Sequence, residues 1–163
     1  MTISQDLNAI ETTLQTTVRI PYQRISDLLV DAFEGGSNYW IHSIESRYPA
    51  TVAGDRVLQR EFIATEVERL GLDKDVSKWP HYVLPFVGDN GYVAVIENRS
   101  EEGVENQERR LDLNAVKRGL SAMASGYDGI PLRHFSAILN ENDDAETADV
   151  FLQCCLFGKI VYG

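Results

Sequence analysis

Residues 32 to 45 read AFEGGSNYWIHSIE, and where this stretch divides decides the fold. Upstream, Ile25, Leu28, Leu29, Ala32 and Phe33 recur at the spacing of one helical face, which predicts an amphipathic helix over roughly residues 22 to 34. Gly35 is then the expected left-handed stop. Downstream, Asn38 to Glu45 reads as a strand, with Trp40, His42 and Ile44 on one face and Tyr39, Ile41 and Ser43 on the other. Neither face is plainly polar, so the strand is expected to be covered on both sides, by helices or by a second subunit. The junction itself has two readings: a helix stop followed by core aromatics, or the lip of a binding pocket.

Working outward, residues 4 to 14 carry Leu7, Ile10 and Leu14 at a weak helical spacing, and TTVRI at 16 to 20 reads as a short β-branched strand. After the 38 to 45 strand, SRYPATVAG is a loop. Asp55 can then cap a helix lined by Leu58, Phe62, Val67 and Leu70 and closed by Gly71. Residues 46 to 75 thus read as a helical insertion. A polar connection follows over 72 to 81, and YVLPFV, GDNG and YVAVIE read as a hairpin turning at Asn90-Gly91, with Pro85 directing its strand to a sheet edge.

The charged segment 98 to 110 is expected to be an exposed loop. Helical order resumes near 113, with Val116, Leu120 and Met123 on one side, and a short helix is expected over 132 to 139. Asp143 and Glu146 have capping-box spacing ahead of Ala148, Phe151, Leu152, Cys155 and Leu156, and KIVYG closes the chain as a small strand. Together these predict a single α+β domain over 1 to 163: a small antiparallel sheet of about three to five strands packed with about four to five helices.

At 163 residues and 44% hydrophobic content, the chain can bury about two-thirds of its unfolded surface in one core. No apolar run is long enough to span a bilayer, and MTISQDLNAIETT lacks the basic flank and apolar stretch of a secretory signal, so a cytoplasmic protein without membrane contact is expected. Cys154 and Cys155 are adjacent and read as two reduced, packed thiols. The net charge of -10, from 25 acidic and 15 basic residues, disfavours direct nucleic-acid binding, because the mean field repels phosphate.

No metal is expected, since His42, His81 and His134 are scattered and no paired-cysteine motif accompanies them. The phosphate-cradling and nucleophile-elbow signatures are absent, and no cofactor is expected. An acid–base reading would use Glu34, His42 and Glu45, a hydrolase built on Glu34 and His42. A binding reading uses the corner instead. Gly35 and Gly36 would let a ligand approach the backbone beside Glu34 and Ser37. Asn38 would read an amide or base edge, and Tyr39 or Trp40 would stack on a planar ring. For a phosphorylated ligand, Arg19, Arg24, Arg47 and Arg133 are the candidate contacts. The acidic stretches SEEGVENQE and NENDDAETAD serve a third reading, an acidic inhibitor of a protein that handles nucleic acid.

ISDLLVDAFEGGSNYWI (25 to 41) and DDAETADVFLQCCLFGKIVYG (143 to 163), with LDLNAVKRGL and RHF between them, resemble a set of small tailed-phage proteins, most without an assigned function. The resemblance covers roughly 17 to 45 and 80 to 163. It implies an accessory protein acting in the host cytoplasm, in host takeover or counter-defence, as a homo-oligomer that sequesters a small nucleotide-like ligand or as an inhibitor of a host protein.

Overall fold

The computed structural model describes residues 15 to 75 and 78 to 163. The residue 4 to 14 helix expectation lies outside them. Among the described residues the chain folds as α+β, with three antiparallel strands and six α-helices.

Helix α1 (Tyr22–Asp31) starts after Pro21 and buries Ile25, Leu28 and Leu29, as its apolar spacing requires. It does not stop at a left-handed Gly35. It widens into a π-helical turn, Ala32–Gly36, and neither Gly35 nor Gly36 has positive φ. A turn over 37 to 40 follows, and strand β1 spans Ile41–Arg47, later than expected. The pairing slips by one residue between Ile41 and Ser43, which breaks the anticipated alternation of faces. His42 is exposed there, and no residue of β1 is fully buried.

Helix α2 (Arg56–Leu70) is capped by the Asp55 carboxylate, which accepts from the N–H groups of Val57 (2.9 Å) and Leu58 (3.1 Å), and it ends at Gly71 with φ 68°. Ile63, Val67 and Leu70 enter the common core, whereas Leu58 remains exposed.

The YVLPFV segment is not a strand. Pro80 occupies the first position of the one-turn helix α3 (Pro80–Val83), which continues as a 3-10 turn over Leu84–Phe86. Proline at that position pre-sets the helical φ and loses no bond, and burial on all sides explains an apolar run without alternation. With no first strand there is no hairpin at Asn90-Gly91. Asp89 and Asn90, both at positive φ, instead turn the chain into β2 (Tyr92–Glu97).

The 98 to 110 segment was expected to be a loop throughout, yet it ends in β3 (Gln107–Leu111), an edge strand pairing Val95 with Arg109 and Val93 with Leu111. The sheet order is β1-β2-β3. Residues 16 to 20 and the KIVYG tail form no strand. β-branched residues favour extended backbone but need a neighbouring ladder to become a strand.

Helices α4 (Leu113–Ser125), α5 (Leu132–Leu139) and α6 (Ala145–Phe157) lie where the spacing put them. The cap of α6 is Asp144, accepting from the Thr147 N–H at 2.9 Å, so the anticipated capping box is one residue out of register. Asp143 instead pairs with Arg24. Helices α4 and α6 approach closely at Gly119, where a Cβ would lie 2.7 Å from the Cys155 nitrogen. Cys154 and Cys155 are free and buried, and burial pushes the Cys154 thiol up to about 12.

Candidate functional site

The glycine-aromatic corner folds inward onto α6. Gly36 lies so close to the start of that helix that a Cβ would be 2.2 Å from the Ala145 carbonyl oxygen, whereas a Cβ on Gly35 would meet nothing within 4 Å. Past this contact, three side chains of the corner converge on Asp149, itself 7% exposed. The Ser37 hydroxyl (2.7 Å) and the Trp40 indole N–H (2.7 Å) donate to Oδ1; the Tyr39 hydroxyl (2.8 Å) and the Gln153 amide (2.9 Å) donate to Oδ2. Four donors fill the acceptor capacity of one carboxylate. The group is therefore a buried anion held by the fold, with no lone pair left for a ligand.

The network continues through Gln153, whose carbonyl oxygen accepts the N–H groups of Val161 and Tyr162, both at 2.8 Å. This explains how KIVYG docks without becoming a strand: a side chain replaces the ladder. The Tyr162 ring stacks on Trp40 (5.3 Å between centroids, 7° between planes), and its hydroxyl donates to Glu97. Glu97 is buried and also pairs with Arg109 at 3.1 Å. Burial and the Glu97 carboxylate together raise the Tyr162 phenol to about 12, keeping it a donor at neutral pH.

These placements correct the pocket reading of EGGSNYW. Trp40 is 1% exposed and sandwiched by its own chain, so it cannot stack on a ligand. Tyr39 is exposed at its rim with its hydroxyl engaged; Glu34, Gly35 and Asn38 face solvent. The acid–base set is not assembled either. Glu34 accepts from the Tyr82 hydroxyl (2.6 Å), Glu45 pairs with Arg47 (2.5 Å), and no hydrogen bond or ion pair joins either to His42. The imidazole near Glu34 is His81, whose pKa is lowered by burial and only partly restored by the Glu34 charge.

Of the arginine candidates, Arg24 holds Asp143, Arg47 holds Glu45 and Glu108 (3.2 Å), and Arg133 holds Glu146 (2.8 Å). Arg19 is different: it lines a groove of about 870 Å³ between the 16 to 20 segment and α4. The groove's floor is apolar, built from Ile25, Phe86, Val116 and Leu120. Lys117 also lines it, and Tyr22, 39% exposed, lies against Phe86 at 5.2 Å. Among the described residues, Arg19 and Lys117 form no ion pair with a carboxylate.

Sequence reasoning missed Asp149 and Gln153. Their signal was present: an acid and an amide four residues apart inside the otherwise apolar ADVFLQCCLF must both be satisfied internally. Lys117 and Tyr22 gave no signal, because nothing local in the sequence places their two helices along one groove. Among the described residues no group of histidine, cysteine, aspartate or glutamate side chains could hold a metal ion, and no helix is long and apolar enough to cross a membrane. Comparison with protein-family models, curated proteins and solved structures finds no match.

Proposed function

We propose that this chain is a binding protein whose groove between residues 16 to 20 and α4 takes a small nucleotide-like ligand, a planar ring system carrying an acidic group. One observation carries the reading: an apolar hollow of nucleotide-accommodating size bears two cations without carboxylate partners among the described residues, in a chain of net charge -10. A large concave apolar site with a few convergent polar groups is the usual form of a small-molecule pocket. Tyr22 supplies a ring face at its mouth, and Arg19 and Lys117 supply charge for a phosphate or carboxylate. The resemblance to small tailed-phage proteins supplies the setting, sequestration of such a molecule in the host cytoplasm as an accessory to takeover or counter-defence. A homo-oligomer fits the outer edge of β1, which has no strand partner among the described residues.

The inhibitor reading has less support. Glu102 and Glu108 of the acidic segment are already paired, with Arg99 and Arg47, which thins the surface charge that mimicry of a phosphate backbone needs.

Native mass spectrometry of the full chain purified from nucleotide-rich extract, followed by calorimetry with nucleoside monophosphates, tests the proposal. The expected result is a small molecule released unchanged on denaturation, with binding weakened about tenfold or more in Lys117→Gln and Tyr22→Ala. A chemically altered ligand would point to catalysis. No retained molecule and no heat up to about 1 mM nucleotide would remove the groove reading, and a strict monomer in light scattering would remove the oligomer.

A further inference from the structure

A second hollow, of about 410 Å³, lies between the start of α2, the residues just after β1 and the segment entering α3. It shares no lining residue with the groove. Arg56, Arg60 and Lys78 stand around it, and Tyr48 and Pro80 contribute to its floor.

Each cation is poorly placed for stability alone. Arg56 opens α2 at the end where the helix dipole is already positive, and the first turn contains no acid. Arg60 follows four residues later, so the two guanidinium groups share a face and repel. Lys78 then arrives from a different segment on the same hollow. Among the described residues none of the three forms an ion pair, although Arg24, Arg47, Arg99, Arg109 and Arg133 each hold a carboxylate. Acids are not scarce, at 25 against 15 basic residues. Asp55, the nearest in sequence, spends its carboxylate on capping α2, and Glu61 lies about 100° round the helix from Arg60.

Tyr48 adds a neutral donor. It is half-buried, its ring at 69° to that of Phe62 with centroids 6.5 Å apart, and its hydroxyl makes no hydrogen bond among the described residues. Repulsion among three cations around an open hollow is relieved by an anion of matching charge, and guanidinium groups suit phosphate oxygens.

We propose that this hollow is an anion site for a diphosphate group, held by Arg56, Arg60 and Lys78 with the Tyr48 hydroxyl as a further donor. Its size suits a small molecule, and the net negative field disfavours a nucleic-acid strand or an anionic membrane. The diphosphate can come from two sources, inorganic pyrophosphate or a nucleoside diphosphate whose ring rests on Tyr48 and Pro80.

Calorimetry on the full chain at about 100 mM salt, with pyrophosphate and a nucleoside diphosphate titrated separately, tests this. Saturable binding of pyrophosphate is expected, weakened at least ~10-fold by Arg60→Gln and by Lys78→Gln, less by Arg60→Lys, and unchanged by Arg118→Gln on α4. Tighter binding of the nucleoside diphosphate that persists in Lys117→Gln assigns the ring to Tyr48 and Pro80; equal binding assigns the inorganic ion. Far-UV circular dichroism confirms that the variants fold. No saturation at about 5 mM pyrophosphate, or equal weakening by Arg118→Gln, overturns the site. Lys117→Gln separates it from the groove: if that change abolishes diphosphate binding while Arg60→Gln does not, the anion sits in the groove and this proposal fails.

Discussion

Replacing Asp149 by asparagine keeps the shape of the side chain and removes one acceptor, so its cost can be worked atom by atom. The oxygen facing Ser37 and Trp40 can be retained, leaving those two bonds in place. The new amide N–H₂ then faces the Tyr39 hydroxyl and the Gln153 amide. Tyrosine adapts, since a phenol can accept as well as donate. Gln153 cannot flip in response, because its carbonyl oxygen already accepts two backbone N–H groups of the C-terminal tail. One bond therefore reverses and one becomes a donor–donor contact, while the two retained bonds lose the help of the charge. Hydrogen bonds to charged groups contribute about 1.5–3 kcal/mol against about 1 for neutral ones, so Asp149→Asn should cost ~2–4 kcal/mol. Asp149→Ala, which leaves the buried Ser37, Trp40 and Gln153 donors unsatisfied, should cost more, about 4 kcal/mol or above. Urea unfolding followed by circular dichroism measures both. Adding Gln153→Glu should not rescue it, because the same amide nitrogen also donates to the Tyr162 carbonyl at 3.1 Å and a carboxylate oxygen there would face that carbonyl. A loss below about 0.5 kcal/mol for Asp149→Asn would refute the account, since surface changes are of that size.

The two glycines of the corner should behave oppositely despite being neighbours. Gly36→Ala drives a Cβ into the Ala145 carbonyl and should cost ~1–3 kcal/mol, whereas Gly35→Ala has free space and should be neutral or stabilising by ~0.5–1 kcal/mol in thermal melts. Similar effects at both positions would mean that the α1–α6 contact is looser than described. On pH, burial lowers the folded pKa values of His134 and His81, so near neutrality the unfolded chain binds more protons than the native one. Stability should thus be full above about pH 6.5 and fall as pH drops through that value toward the depressed folded pKa values. His134→Gln should flatten part of the slope between pH 7.5 and about 5.5, and a urea midpoint that rises on acidification over that range would contradict it.

The helices were readable because their signals are local to one segment: the apolar stripes of α1 and α4, and the Asp and Gly that bound α2, α4 and α6. The strands were less so. β3 is an edge strand reading QERRL, and its only buried residue is Leu111, so the apolar alternation that marks a half-buried strand is missing. YVLPFV erred in the other direction, since six consecutive buried residues, Tyr82 to Val87, look alike whether coiled or extended. Only Pro80, at the head of that run, carried the helical information, and it lay in what read as a polar connection.

At the corner, the residues that bind a nucleotide and the residues that tie a buried knot are the same types. A glycine that admits a ligand also admits a helix; an indole N–H that could meet a ligand also meets a carboxylate. What separates the two is a partner on another element, here Asp149, more than a hundred positions away. The sign that could have located it sits in α6, where nine consecutive residues, Thr147 to Cys155, are all buried. Within such a run an aspartate must find donors or be neutralised, and a chain with no complementary cation in reach supplies them from hydroxyl, indole and amide groups. Ser37, Tyr39 and Trp40 are three such groups within four residues. Pairing the helix's demand for donors with the corner's surplus of them turns the motif inward. Binding is then left to surfaces that local sequence does not advertise, where cations collect around hollows without acids to meet them.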